Sequence, residues 1–218
     1  MRGLMLVAAG SVFAALLPAG VVLGSPTGLL LIPTADTIGA GRYQLQLEVD
    51  GSLSPSPFQY WLLDTEAGVA SNVELGVDVN LLMRPQPRVF TNWKYAFAPV
   101  GRGRVGAAFG MGNWNEQPLT GPYALSTADL GRVRITSGVT YLFRAYRFMA
   151  GIDTGFRRKL TWMADYVSGP DLFLSAGFSY EIGPDYQLLA GLVFPNSGGG
   201  TLFTVQFAWG GKFAQPPR

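Results

Sequence analysis

Asp64 and Asp78 come nearest, by type and spacing, to residues that could do acid–base chemistry in this chain. A simple hairpin register sets them side by side, with Lys94 diagonal to them. Two carboxylates at such a distance can divide the roles of general acid and general base. Like charges that close do not both ionise unless Lys94 or a cation lies between them. The competing reading, an ion-pair network lining a polar interior, is the favoured one. Composition removes most other devices. The chain has no histidine, so no His-assisted serine or aspartate can be built. It has no cysteine, and therefore no disulfide, thiolate metal site or lipid-anchor thiol. Gly101-Arg102-Gly103-Arg104 and Gly198-Gly199-Gly200 are turn glycines without the spacing or following helix of a phosphate loop. No enzyme, metal or cofactor is expected.

These charged residues belong to segments of strict alternation. From Arg42 to Asp50, the side chains of Tyr43, Leu45, Leu47 and Val49 share one face, and Gln44, Gln46, Glu48 and Asp50 the other. A strand sends successive side chains to opposite faces, so this segment has one greasy face and one wet face. The pattern predicts twelve strands, near 42–50, 59–69, 73–82, 88–98, 103–112, 122–129, 132–143, 146–155, 159–168, 171–182, 186–195 and 201–210. The sixth is the weakest, its alternation diluted by Ala and Ser. Short turns at 70–72, 130–131 and 183–185 fall on the side of the termini, and longer Pro/Gly-rich loops at 51–58, 113–122 and 195–200 on the other. That asymmetry is expected of a barrel with both termini in the periplasm.

The 218 residues are 48% apolar and only 14% charged, with 29 glycines. That is charge-poor for a soluble surface, where about a quarter of residues are usually charged. Beyond the N-terminus no apolar run is long enough for a membrane helix. The fold expected is an all-β, closed antiparallel up-and-down transmembrane barrel. Arg2, an apolar run from Leu4 to Leu17 and small residues up to Gly24 read as a cleaved signal peptide, 1–24. Residues 25–40 then form an N-terminal periplasmic or plug-like segment, 41–213 the barrel and 214–218 a tail. A net charge of +2 gives no reason to expect nucleic-acid binding.

Alternation alone does not say which face looks inward. The polar face is rich in Gly and charge, a poor dry core, while Trp and Tyr gather on the apolar face near strand ends, as an interfacial girdle requires. The apolar face is therefore assigned to outer-membrane lipid and the polar face to the lumen. Inside, Glu48, Asp50, Asp64, Glu66, Glu74 and Asp78 form an acidic wall, and Lys94, Arg104, Arg134 and Arg147 a basic wall. The arrangement fits a transverse field across a narrow pore or a plugged lumen whose charges neutralise one another; the plugged form is favoured. A second basic set, Arg42, Arg102, Arg132, Arg157, Arg158, Lys159 and Lys212, falls on the termini side, where it suits solvated turns at anionic headgroups or a docking ring for an anionic partner.

The motif Thr27-Gly28-Leu29-Leu30-Leu31-Ile32-Pro33-Thr34-Ala35-Asp36, followed by Gly41-Arg42-Tyr43, resembles the opening of the YjbH-like family of outer-membrane barrels. The resemblance implies a role supporting surface or exopolysaccharide production or export, with polysaccharide or its export machinery as partner. The alternative is a small porin-like diffusion channel for polar or charged solutes. Apart from the resemblance, Leu29 to Ile32 reads as an apolar segment packing at the periplasmic mouth or extending the first strand.

Overall fold

The computed structural model describes residues 27–53, 59–82, 88–98, 100, 103–115 and 120–213. The expected leader 1–24 and tail 214–218 lie outside them. Twelve strands form: β1 Arg42–Ser52, β2 Gln59–Ala70, β3 Val73–Asn80, β4 Arg88–Ala98, β5 Val105–Gly112, β6 Gly121–Asp129, β7 Val133–Leu142, β8 Ala145–Arg157, β9 Leu160–Val167, β10 Phe173–Gly183, β11 Tyr186–Pro195 and β12 Leu202–Lys212. Each pairs antiparallel with its neighbours in sequence, and β1 pairs with β12 from Arg42↔Lys212 to Ser52↔Leu202. The sheet is a closed up-and-down barrel with no free strand edge, the fold expected from the alternation.

The faces sort by the chemistry of their side chains. Leu47, Leu75, Val77, Val139 and Phe148 point outward and are exposed, whereas Glu48, Glu74 and Asp78 are buried within the barrel. A surface so apolar is at home only against hydrocarbon. Aromatic residues cap it at both ends. Where β1 begins and β12 finishes (the near end), Tyr43 meets Trp209 edge-on with ring centroids 6.3 Å apart. At the far end Tyr141 and Tyr146 face each other across β7 and β8 at 5.1 Å.

Between those two tyrosines the chain reverses through Phe143 and Arg144, with φ of 50° and 62°. This is the left-handed pair that a two-residue hairpin turn needs, built here without glycine. It stands at the end assigned the longer loops, so loop length is mixed at that end. Register shifts in the pairing occur at Gly68/Ala70, Ala96/Ala98, Gly155/Arg157 and Glu181/Gly183, all toward the near end. Bulges of this kind sharpen local twist and suit a barrel rim.

The interior departs from the expected polar lumen. A dry cluster that includes Leu125, Met149, Met163, Val167, Leu172, Leu189 and Val193 fills part of it, together with Leu29 to Ile32. In β6 the usual sense is reversed: Tyr123 and Leu125 point inward, and Pro122, Ala124 and Ser126 outward. Thin outward side chains explain why this strand's alternation is faint in the sequence.

Candidate functional site

The lumen is the candidate site, and its first occupant is the chain itself. Residues 27–38 enter from the near end as a tight hairpin. Gly28 bridges Pro33, and the Leu29 N–H donates to the Ile32 carbonyl at 2.9 Å. Thr34 donates its N–H to the Thr27 carbonyl at 3.2 Å and its hydroxyl to the same oxygen at 2.8 Å. Pro33 donates no backbone hydrogen bond, which keeps this segment out of a β-ladder. It neither extends β1 nor stops at the mouth: its tip packs in the barrel interior. A Cβ on Gly151 would lie 2.1 Å from Leu29 Cδ1, and one on Gly191 2.4 Å from Leu30 Cδ2. The inward glycines of β8 and β11 are thus the hollows that take the two leucines.

Polar groups buried with the hairpin are met by the wall. Asp165 accepts the Leu31 N–H at 2.8 Å and also the Ser175 hydroxyl. Gln206 donates to the Leu30 carbonyl at 3.0 Å. Thr127, 2.9 Å from the Thr136 hydroxyl, accepts the Ala35 N–H at 3.0 Å. Glu74 accepts the Thr27 hydroxyl and the Ile38 N–H, and Lys94 donates to Thr27. Lower down, Asp36 pairs with Arg134, whose Nε lies 3.7 Å from Asp153. The exit is equally tight. A Cβ on Gly68 would lie 1.8 Å from the Gly39 carbonyl oxygen, so no larger residue fits there without moving backbone.

The charged residues read from the sequence divide into three groups. Glu48, Asp50, Asp64 and Asp78 face one another on β1–β3, and Gln46 and Gln206 link Asp64 to the Leu30 carbonyl at the hairpin tip. Asp64 stands directly opposite Asp78 in register. Lys94 is not diagonal to that pair, contrary to expectation: Asp78 pairs with Phe90, which puts Asn92 on its diagonal, and Lys94 pairs with Glu74. Asn92 donates to Asp78, and Gln46 donates to Asp64 at 3.2 Å. Glu48 is 0% exposed and neither of its oxygens meets a donor; Asp50 Oδ1 and Asp64 Oδ1 also lack one. Glu66 is buried nearer the near end.

The second group serves the hairpin: Glu74, Lys94 and Arg134, joined by Asp36 of the N-terminal motif. Its companions Gly28, Pro33, Thr34 and Ala35 make up the hairpin itself. The third group, Arg104 and Arg147, stands apart from both: Arg147 keeps the inward face of β8, its Nε buried, and Arg104 leaves the wall. β5 begins at Val105, not at 103, so Arg104 precedes the strand and is exposed. Arg147 sits at the far mouth against Gly169. Sequence reasoning did not single out Asp165, Gln206, Thr127 or Asn92 as site residues. Alternation does set Asp165, Asn92 and Gln206 on the polar face, but nothing in the sequence separates them from their neighbours there. Among the described residues no group of three acidic, His or Cys side chains is placed to hold a metal ion.

This geometry has parallels among solved structures. The barrel is similar in fold to the KdgM porin. One structure, "KdgM porin in complex with disordered oligogalacturonate", matches with a TM-score of 0.56 at 14% identity, covering 77% of this chain and 98% of that one. A second KdgM porin structure matches with a TM-score of 0.51 at 12% identity, covering 76% and 98%. No family model matches the chain, and no curated protein does. The YjbH-like resemblance of the N-terminal motif therefore has no family match behind it.

Proposed function

We propose that the protein is a porin-like channel of the outer membrane, carrying small polar solutes, with its lumen narrowed by its own N-terminal hairpin and both termini on the periplasmic side. The observation that carries this reading is a closed barrel, apolar outside, whose lumen keeps a buried acidic half beside the half occupied by residues 27–38. The fold likeness to KdgM supports a channel more than an export accessory. On this reading the barrel catalyses nothing, and Asp64 and Asp78 line a path.

Planar-bilayer recordings test the proposal, comparing the full mature chain with a form lacking residues 27–38. Low or intermittent conductance that rises when the hairpin is removed is the expected result. Absence of current from both forms, in barrels shown to be folded, would reject the channel. It would favour the second reading, a non-conducting barrel supporting surface-polysaccharide machinery, for which the hairpin's dense anchoring is the specific observation.

A further inference from the structure

We propose that the acidic half of the lumen binds an organic cation bearing ammonium groups, so that the solute class of this barrel is the polyamine-like cation. This rests on the channel reading for the route by which such a solute reaches the site.

Hydrogen bonding along the acidic wall is incomplete. An ionised carboxylate is an acceptor only. Glu48 is fully buried, yet both its oxygens lack a donor, as do Asp50 Oδ1 and Asp64 Oδ1. Leaving buried acceptors unmet is costly, so this wall calls for donors from outside the chain.

No base of the wall supplies them among the described residues. Lys94 is spent on Glu74 and Thr27, and Arg134 on Asp36 and Asp153. Arg147 stands at the far mouth. The hairpin thus takes up Lys94 and Arg134, and Glu48, Asp50, Asp64 and Asp78 have no basic partner among the described residues.

Two features select an alkylammonium over a bare metal ion. The carboxylates do not converge as a metal-ligand set. A row of acceptors on neighbouring strands instead suits several N–H donors along a chain. Beside them Tyr60, Leu62 and Phe90 form a separate buried apolar cluster, with Tyr60 opposite Asp50 and Leu62 opposite Glu48 across the β1–β2 pair. Methylene spacers can lie on such a surface, and a ring face attracts an ammonium group.

The closing experiment uses the full mature barrel in detergent and in planar bilayers, with spermidine as probe and magnesium as control. Spermidine should raise the thermal unfolding midpoint of the barrel, and magnesium at equal charge should not. Glu48→Gln should weaken spermidine binding by about tenfold, the effect of one lost charge-assisted contact. E48Q/D64N should abolish it, with circular dichroism confirming that both variants keep their strands. In bilayers, spermidine should block the potassium current and the reversal potential should favour potassium over chloride.

Equal stabilisation by magnesium, spermidine binding unchanged in folded E48Q, or chloride preference would overturn the proposal. Specific spermidine binding without any current would sink the channel reading and leave the binding site standing. Current without specific spermidine binding would do the reverse.

Discussion

Lys94 Nζ lies 2.8 Å from Glu74 Oε2, and the two side chains are 1% and 0% exposed. The Thr27 hydroxyl touches both. An ion pair joining β3 to β4 therefore also fastens the base of the hairpin. Removing one member of a buried pair strands the other charge and typically costs about 3–5 kcal/mol. Lys94→Met should lower stability by that order in denaturant unfolding from lipid vesicles. E74Q/K94M, which leaves no orphan charge, should recover most of the loss. Similar stability of the single and double variants would mean that the pair does not act as a unit.

The Arg134 cluster gives the contrasting case. Arg134 and Asp36 are each about one-third exposed, at 30% and 34%. Water and salt screen such a pair, and exposed pairs contribute about 0–1 kcal/mol. Arg134→Gln should change unfolding stability by less than about 1 kcal/mol, with the difference shrinking further at high salt. A loss as large as that of Lys94→Met would show that Arg134 is the main clasp on the hairpin.

The outward belt predicts a depth-dependent penalty. Val77 lies within β3, outward and flanked by the inward Gly76 and Asp78. An arginine on the lipid face near mid-bilayer costs about 2–4 kcal/mol. Val77→Arg should reduce folding into vesicles by that amount, while Leu53→Arg, in the loop beyond β1, should be nearly silent. Equal tolerance at both positions would contradict a hydrocarbon environment around β3.

Much of this architecture was legible in the sequence, because a period of two residues is the signature of a strand with unlike faces. Glu48, Asp64 and Asp78 could be placed inward from their neighbours alone. What alternation could not fix was the partner of each residue. Sliding a pairing by two residues keeps every side chain on its face, so Lys94 diagonal to Asp78 and Lys94 opposite Glu74 look alike in pattern. Loop geometry decides between them, and the β3–β4 connection, with Pro85 and Pro87, marks a loop without fixing its turn type. The hairpin was hidden for a different reason. Leu29 to Ile32 is apolar without a period, which fits a mouth, a strand or a core equally well. Only the inward glycines at 151 and 191 reveal its destination, and in sequence they look like ordinary strand glycines. Arg104 was misplaced because β5 starts two residues later than its alternation suggests, after the register shift at Ala96/Ala98.

Those two glycines supply the final test, since they separate a seated hairpin from one that merely lies at the entrance. At Gly151 a new Cβ would meet Leu29 Cδ1 at 2.1 Å, the free end of a side chain that can turn aside. Gly151→Ala should therefore be mild, and L29A/G151A close to neutral. Gly151→Phe fills the hollow, and overpacking there should drive the tip out of its seat without breaking the barrel wall. The chain has no cysteine, so Leu31→Cys gives a single thiol at a position 8% exposed when the hairpin is seated. Maleimide should label L31C slowly in the parent barrel and rapidly when G151F is added, with strand content unchanged by circular dichroism. Fast labelling in the parent would mean that the seat is seldom occupied. Slow labelling in both would mean that Leu29 does not depend on the Gly151 hollow, and that the polar clamps at Asp165 and Gln206 hold the tip unaided.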